Sequence, residues 1–217
     1  MKVIEVSRLN SEKTNPPMAE VSVRLDEIGP GHAIETVNWE AFPYKPEVRF
    51  NIAWGERGIY LKYYVKESTV KAEKTLTNEM VCEDSCVEFF VAPSDDGIYY
   101  NLEFNPIGTI LMGTGHGRHD SVRADAQILK GVRRITTLGT EPFAEICGDV
   151  RWSLTIAIPP ETFFHHKISD LRGKSFRANF YKCGDMLSNP HYVTWNPVGT
   201  EKPDFHRPEY FGTLRFV

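Results

Sequence analysis

Between Cys86 and Asn105 the chain places two carboxylates, two amides and a tyrosine at every second position. Cys86, Glu88 and Phe90 alternate with Val87, Phe89 and Val91; Tyr99, Asn101, Glu103 and Asn105 alternate with Tyr100, Leu102 and Phe104. Strand side chains change face at each residue, so these are two strands with one apolar and one polar face. The turn Ser94-Asp95-Asp96-Gly97 joins them into a hairpin. Two further runs extend the polar row. Arg177, Asn179 and Tyr181 oppose Phe176, Ala178 and Phe180, and Arg49 and Asn51 oppose Phe50, Ile52 and Trp54. If the strands share a sheet, its outer face gathers Arg49, Asn51, Glu88, Asn101, Glu103, Asn105, Arg177, Asn179 and Tyr181. That set suits a saccharide, whose hydroxyls donate and accept at once: carboxylates accept, arginine donates in a rigid fork, and amides do both. Flat rings would cover the C–H faces of the sugar, and Trp195, Phe205 and Tyr181 are the candidates, with His206 beside Phe205 as a further contact. The plainer alternative is a solvated sheet face held by cross-strand Glu–Arg pairs. Glu88 and Glu103 also raise glycoside hydrolysis, which needs two carboxyls roughly 5–9.5 Å apart across a cleft. A third alternative is a structural module that docks on another protein.

The rest of the chain constrains what carries these rows. Its 217 residues suffice for one large β domain, and residues 1–217 read as a single domain. A net charge of -4 gives no reason to expect a nucleic-acid partner. No apolar run approaches the roughly 20 residues of a membrane span. The N-terminus MKVIEVSRLN has no apolar signal core, which fits a cytoplasmic protein or the mature form of a secreted or periplasmic one. Cys82 and Cys86 are not spaced like a zinc knuckle, and in one strand they would share a face but lie too far apart to bridge; the thiols are expected to be free. His165 and His166 are neighbours that point apart in an extended chain and make a poor metal pair. The segment Gly113–Arg118, GTGHGR, lacks the Lys-Ser/Thr ending of a phosphate loop and reads as a surface loop whose His116, Arg118 and His119 could lean over the binding face. No Met–His spacing points to haem. No catalytic residue and no cofactor is assigned, and the metal ligands stay open.

Strand-like runs extend from end to end: Val3–Ser7, Ala19–Val23, Val48–Trp54, Ile59–Lys66, Val87–Ala92, Tyr99–Asn105, Thr109–Met112, Ile128–Thr136, Phe143–Cys147, Trp152–Ile158, Ser175–Lys182 and Gly212–Phe216. The only helical punctuation follows Pro159-Pro160. With no helical block alternating with the strands, the pattern predicts an all-β antiparallel sandwich rather than a parallel sheet.

Several stretches, in order, resemble the carbohydrate-binding module family 9-like domains: YKPEVRF from Tyr44, EDSCVEFF from Glu83, YYNLEFNPIGT from Tyr99, WSLTIAIP from Trp152, RANFYK from Arg177, and TWNP followed by FHRPEYFGTLRF at the end. The resemblance covers the chain from about Val37 onward. It implies an immunoglobulin-like β-sandwich with extra strands and long loops. It also implies non-catalytic binding of a saccharide, often at a reducing end, in polysaccharide use and beside a glycoside hydrolase partner. In the founding modules two tryptophans clamp the sugar; the matching positions here are Cys82 and Phe205. A family arginine is replaced by Glu103, while the glutamate and an asparagine survive as Glu88 and Asn105. Some members hold structural calcium, for which Asp95 and Asp96 are the acidic turn residues here.

Overall fold

In the computed structural model, which describes residues 1–9, 11 and 13–217, the alternating runs become strands. In chain order they are β1 (Val3–Val6), β2 (His32–Ile34), β3 (Thr36–Val37), β4 (Glu47–Gly55), β5 (Gly58–Ala72), β6 (Cys86–Ala92) and β7 (Tyr99–Phe104). There follow β8 (Ile110–Gly115), β9 (Val122–Arg123), β10 (Arg133–Thr136), β11 (Phe143–Ile158), β12 (Ser175–Cys183), β13 (Tyr192–Thr194) and β14 (Gly212–Phe216). One sheet runs β1-β14-β12-β6-β7-β8-β9, with β13 joining β12 to β3; the other runs β10-β11-β5-β4-β2. Among the described residues the strand pairs are antiparallel apart from β1 beside β14. The expected all-β sandwich is therefore the architecture found.

The inward rows meet as an aromatic core. Phe180 of β12 stacks on Phe50 of β4 at 3.7 Å and on Phe89 of β6 at 5.0 Å. Trp195 meets both Phe50 and Phe180 edge-on. Offset and edge-on ring pairs add to the burial energy of such a core. Tyr63 of β5 crosses between the sheets and donates to the Glu88 carbonyl at 2.8 Å, fixing β6 against the opposite layer.

Four expected strands change. Ala19–Val23 lies inside a helix, α1 (Met18–Asp26). Ala19, Val21 and Val23 do alternate, but Val21 and Leu25 are the buried pair, packing with Leu9, Ala53, Tyr60 and Ala157 on the outer side of the second sheet. Spacing of i, i+4 with small residues beneath outweighs the alternation. Ile128–Thr136 begins as a short helix, α2 (Ala126–Leu129), with the Asp125 side chain accepting the Gln127 N–H as its cap, and only then becomes β10. Phe143–Cys147 and Trp152–Ile158 are the two ends of one bulged strand, β11. The single turn after Pro159 forms as expected, as a 3-10 turn over Pro160–Thr162.

Candidate functional site

The hairpin register sets Glu88 of β6 directly opposite Glu103 of β7, and β12 lays Tyr181 on the other flank of Glu88. These side chains leave the sandwich on its outer side. That side is not open water. Trp39, Phe90, Tyr99, Tyr181, Phe205 and Phe211 build a second apolar cluster over it, held down by the loops that return across the sheet. The cover is incomplete and leaves a cavity of about 320 Å³. Glu88, Glu103 and Cys183 contribute from the sheet, Phe90, Tyr192, Phe205 and His206 supply rings, Arg118, Asp185 and Asp204 come from the surrounding loops, and Arg123 comes from the short strand β9.

Burial dominates the electrostatics. It pushes the Glu103 carboxyl up to about 7, although the Asn101 amide donating at 2.8 Å opposes the shift. Burial, then the charge of Glu103, holds Glu88 well above the usual carboxylate range. Asp185 is raised by burial as well. Burial, and next Arg118, pushes His206 down to about 4; its Nδ1 shares a 2.7 Å hydrogen bond with the Tyr99 hydroxyl. The cavity thus offers two carboxyls whose burial favours the neutral, donor-capable form, together with an imidazole held neutral.

Of the ten expected site residues, Glu88, Glu103, Phe205 and His206 line the cavity. Tyr181 and Asn101 stand directly behind them. Tyr181 stacks under Phe205 at 4.1 Å and donates to the Phe205 carbonyl, so it positions the ring. The other four expectations are corrected. Asn105 donates to the Lys74 carbonyl and to Asp84 and accepts the Thr109 N–H, closing the turn after β7. Arg177 donates to the carbonyls of Phe211 and Pro208. Asn179 holds both backbone groups of Asn196. Trp195 lies in the central core against Gly212, where any β-carbon would meet its ring at 2.5 Å. The buried amides and the half-buried guanidinium are taken up by backbone groups that no strand ladder satisfies.

Arg49 and Asn51 belong to the other sheet and reach nothing here. The Asn51 amide donates to the Leu25 and Gly29 carbonyls at the end of α1. Cys82 sits on a 3-10 turn (Val81–Glu83) rather than a strand, and reaches the cavity from there. Arg118 does lean over the site from its loop, as expected of that segment, joined by Arg123, Asp185, Tyr192 and Asp204. Arg118, Asp185 and Asp204 lie in loops, and Arg123 and Tyr192 sit on the short strands β9 and β13; only the fold brings the five together, and alternation could not flag them. The Asp95-Asp96 turn does not fit calcium. Asp96 accepts the Ile98 N–H and meets His166 Nε2, each at 3.0 Å, so nitrogen groups occupy its oxygens rather than a converging ring of six to eight oxygens.

A sandwich with a ring-walled, carboxyl-floored pocket over one sheet face is a ligand-binding class of β protein. The chain belongs to carbohydrate-binding family 9, whose model matches residues 24–216. A protein from Bacteroides uniformis ATCC 8492, provisionally described as carbohydrate-binding, is 42% identical, with 100% of this chain and 99% of that chain covered and a TM-score of 0.95. A family 9 module from Caldicellulosiruptor kristjanssonii in complex with glucose shares the fold at 12% identity, covering 100% and 96% of the two chains with a TM-score of 0.62. The same organism's module in complex with cellotriose aligns at 12% identity, over 99% and 93%, with a TM-score of 0.55. No curated protein matches the chain.

Proposed function

We propose that the chain binds a saccharide, without chemistry of its own, in the cavity over β6, β7 and β12. The observation that carries this reading is the cavity itself: about 320 Å³, room for one or two sugar rings, with Glu88 and Glu103 side by side as hydroxyl partners and Phe205 as the apolar wall. The glucose and cellotriose complexes of the Caldicellulosiruptor module show that this fold can hold such ligands. Cross-strand neighbours approach a ligand from one side, whereas a glycosidase places its acid and its second carboxylate on opposite sides of the scissile bond. That geometry favours binding over hydrolysis. Action beside a glycoside hydrolase is the setting the family suggests.

A glycan array tests the reading. The wild type should retain a defined set of oligosaccharides and return them uncleaved. Phe205→Ala, by removing a stacking wall worth about 1 kcal/mol, should weaken binding about fivefold or more. Glu103→Gln, which keeps the shape, should alter the pattern of retained sugars. No retention of any glycan by the folded wild type, or affinity indifferent to Phe205→Ala, would sink the proposal.

A further inference from the structure

Cys86, Glu88 and Cys183 form a cluster that saccharide binding does not use. In the β6–β12 register Cys86 lies directly opposite Cys183, and Glu88 follows Cys86 by two residues on the same face. Sγ of both cysteines and a Glu88 oxygen lie within 4.8 Å of one another, and all three residues are buried. The Cys183 thiol donates to Glu88 Oε1 at 3.0 Å. Asp185 stands beside the group, lining the same cavity as Cys183 and Cys82, with its backbone N–H donating to the Cys82 carbonyl. Two thiols and a carboxyl thus converge in the protein interior, and among the described residues no guanidinium or ammonium hydrogen-bonds or ion-pairs with any of the three side chains. The buried cation adjacent to Cys183 on β12, Lys182, points to the opposite face and is engaged by Glu67 at 2.8 Å.

We infer that Cys86, Cys183 and Glu88 form a binding site for a zinc-class divalent metal ion beneath the saccharide pocket. Paired sulfur ligands select a borderline or soft ion over calcium or magnesium. Tetrahedral ligation with Zn–S of about 2.3 Å and Zn–O of about 2.0 Å sets ligand atoms roughly 3.5–3.8 Å apart. The thiol–carboxyl contact has only to open by about half an ångström to admit the ion. Cys183 and Glu88 both reach the cavity, so the fourth position faces it, toward Asp185 or a water. On binding, the two thiol protons and the proton that burial favours on Glu88 pass to solvent, and the thiolates and the carboxylate take the ion in their place. Such a site ties β6 to β12 and fixes Glu88, so one carboxyl oxygen serves the ion while the other faces the pocket.

Cobalt and zinc ions alone are the probes. Stoichiometric Co²⁺ added to the reduced, chelator-treated full chain should give thiolate-to-cobalt charge-transfer absorption in the near ultraviolet, and Zn²⁺ should bleach it. Cys86→Ser and Cys183→Ser should abolish the band. Cys147→Ser, at the exposed thiol remote from the cluster, should leave it intact. A second measurement needs no variant: zinc K-edge absorption of the wild type should show sulfur at about 2.3 Å together with oxygen at about 2.0 Å. Absence of the charge-transfer band, its loss in Cys147→Ser instead, or a zinc shell without sulfur would each overturn the assignment. No sugar enters these experiments and Cys86 does not line the cavity, so the metal site and the saccharide reading stand or fall separately.

Discussion

Glu103 is a carboxyl held where its charge is costly, and that cost makes it a pH reporter. In the unfolded chain it titrates near 4.5; in the fold burial raises it to about 7. Between those values the native form keeps a proton that the unfolded form has lost. Stability must therefore fall as pH rises through that window and level off above it. In chelator-treated protein, urea unfolding should show less stability at about pH 8 than at about pH 5. Glu103→Gln should lose less over the same interval, with Glu88 supplying the remainder; an equal loss in variant and wild type would refute the assignment. The side of the sheet on which Glu88 and Glu103 emerge was legible from alternation alone. Which polar side chains stay free was not. Asn105, Arg177 and Asn179 have the right types and the right phase, yet each is consumed by loop carbonyls and amides whose positions depend on distant chain. Trp195 misled for the opposite reason. A tryptophan in a loop looks available, and only the approach allowed by Gly212 shows that its ring points into the core.

At the scale of elements, the pocket wall depends on a segment with little regular structure. Between β13 and β14 the chain crosses the outer face of the first sheet and carries Phe205 and His206. Arg177 anchors it with two hydrogen bonds to the Phe211 carbonyl, at 2.6 and 3.1 Å. Asn196 donates to the Tyr210 carbonyl, and the Tyr210 hydroxyl donates to the Gly199 carbonyl. Arg177→Ala should free this segment: amide exchange should quicken from about Phe205 to Phe211 and saccharide affinity should fall, with the strands of the core still protected. Arg177→Lys should recover little of the loss, because an ammonium lacks the planar fork that spans neighbouring carbonyls. Unchanged exchange across the segment would contradict this role. The strands themselves were readable because each presents one buried face to a period-two pattern. Helix α1 was not, because its residues satisfy both periods and the choice is made by Ala53, Tyr60 and Ala157 beneath it, far away in sequence.

At the scale of the molecule, the two sheets are joined by a charged contact inside an otherwise aromatic core. Lys182 takes the inward position that follows Phe180 on β12, and its ammonium meets Glu67 of β5 at 2.8 Å, His191 Nε2 at 2.7 Å and the Cys183 carbonyl at 2.9 Å. Burial, and then the charge of Lys182, holds His191 down to about 2, so the ring is neutral. Its Nδ1 faces the Asn189 carbonyl and must donate there, which leaves Nε2 to accept from the lysine. Trp152 of β11 donates to the other Glu67 oxygen at 2.7 Å. The ammonium is thus hydrogen-bonded to a carbonyl and an imidazole nitrogen and ion-paired with a carboxylate, surroundings in which a fully buried pair is tolerated rather than ruinous. Removing one member should be severe. Lys182→Met, which strands the Glu67 charge, should cost about 3–5 kcal/mol. Glu67→Gln added to Lys182→Met keeps an acceptor for Trp152 while deleting the stranded charge, so the double variant should be more stable than Lys182→Met alone. Urea unfolding of the wild type, both single variants and the pair closes the cycle. Additive losses would mean that the sheets are held by their aromatic packing and that the ion pair does not couple them.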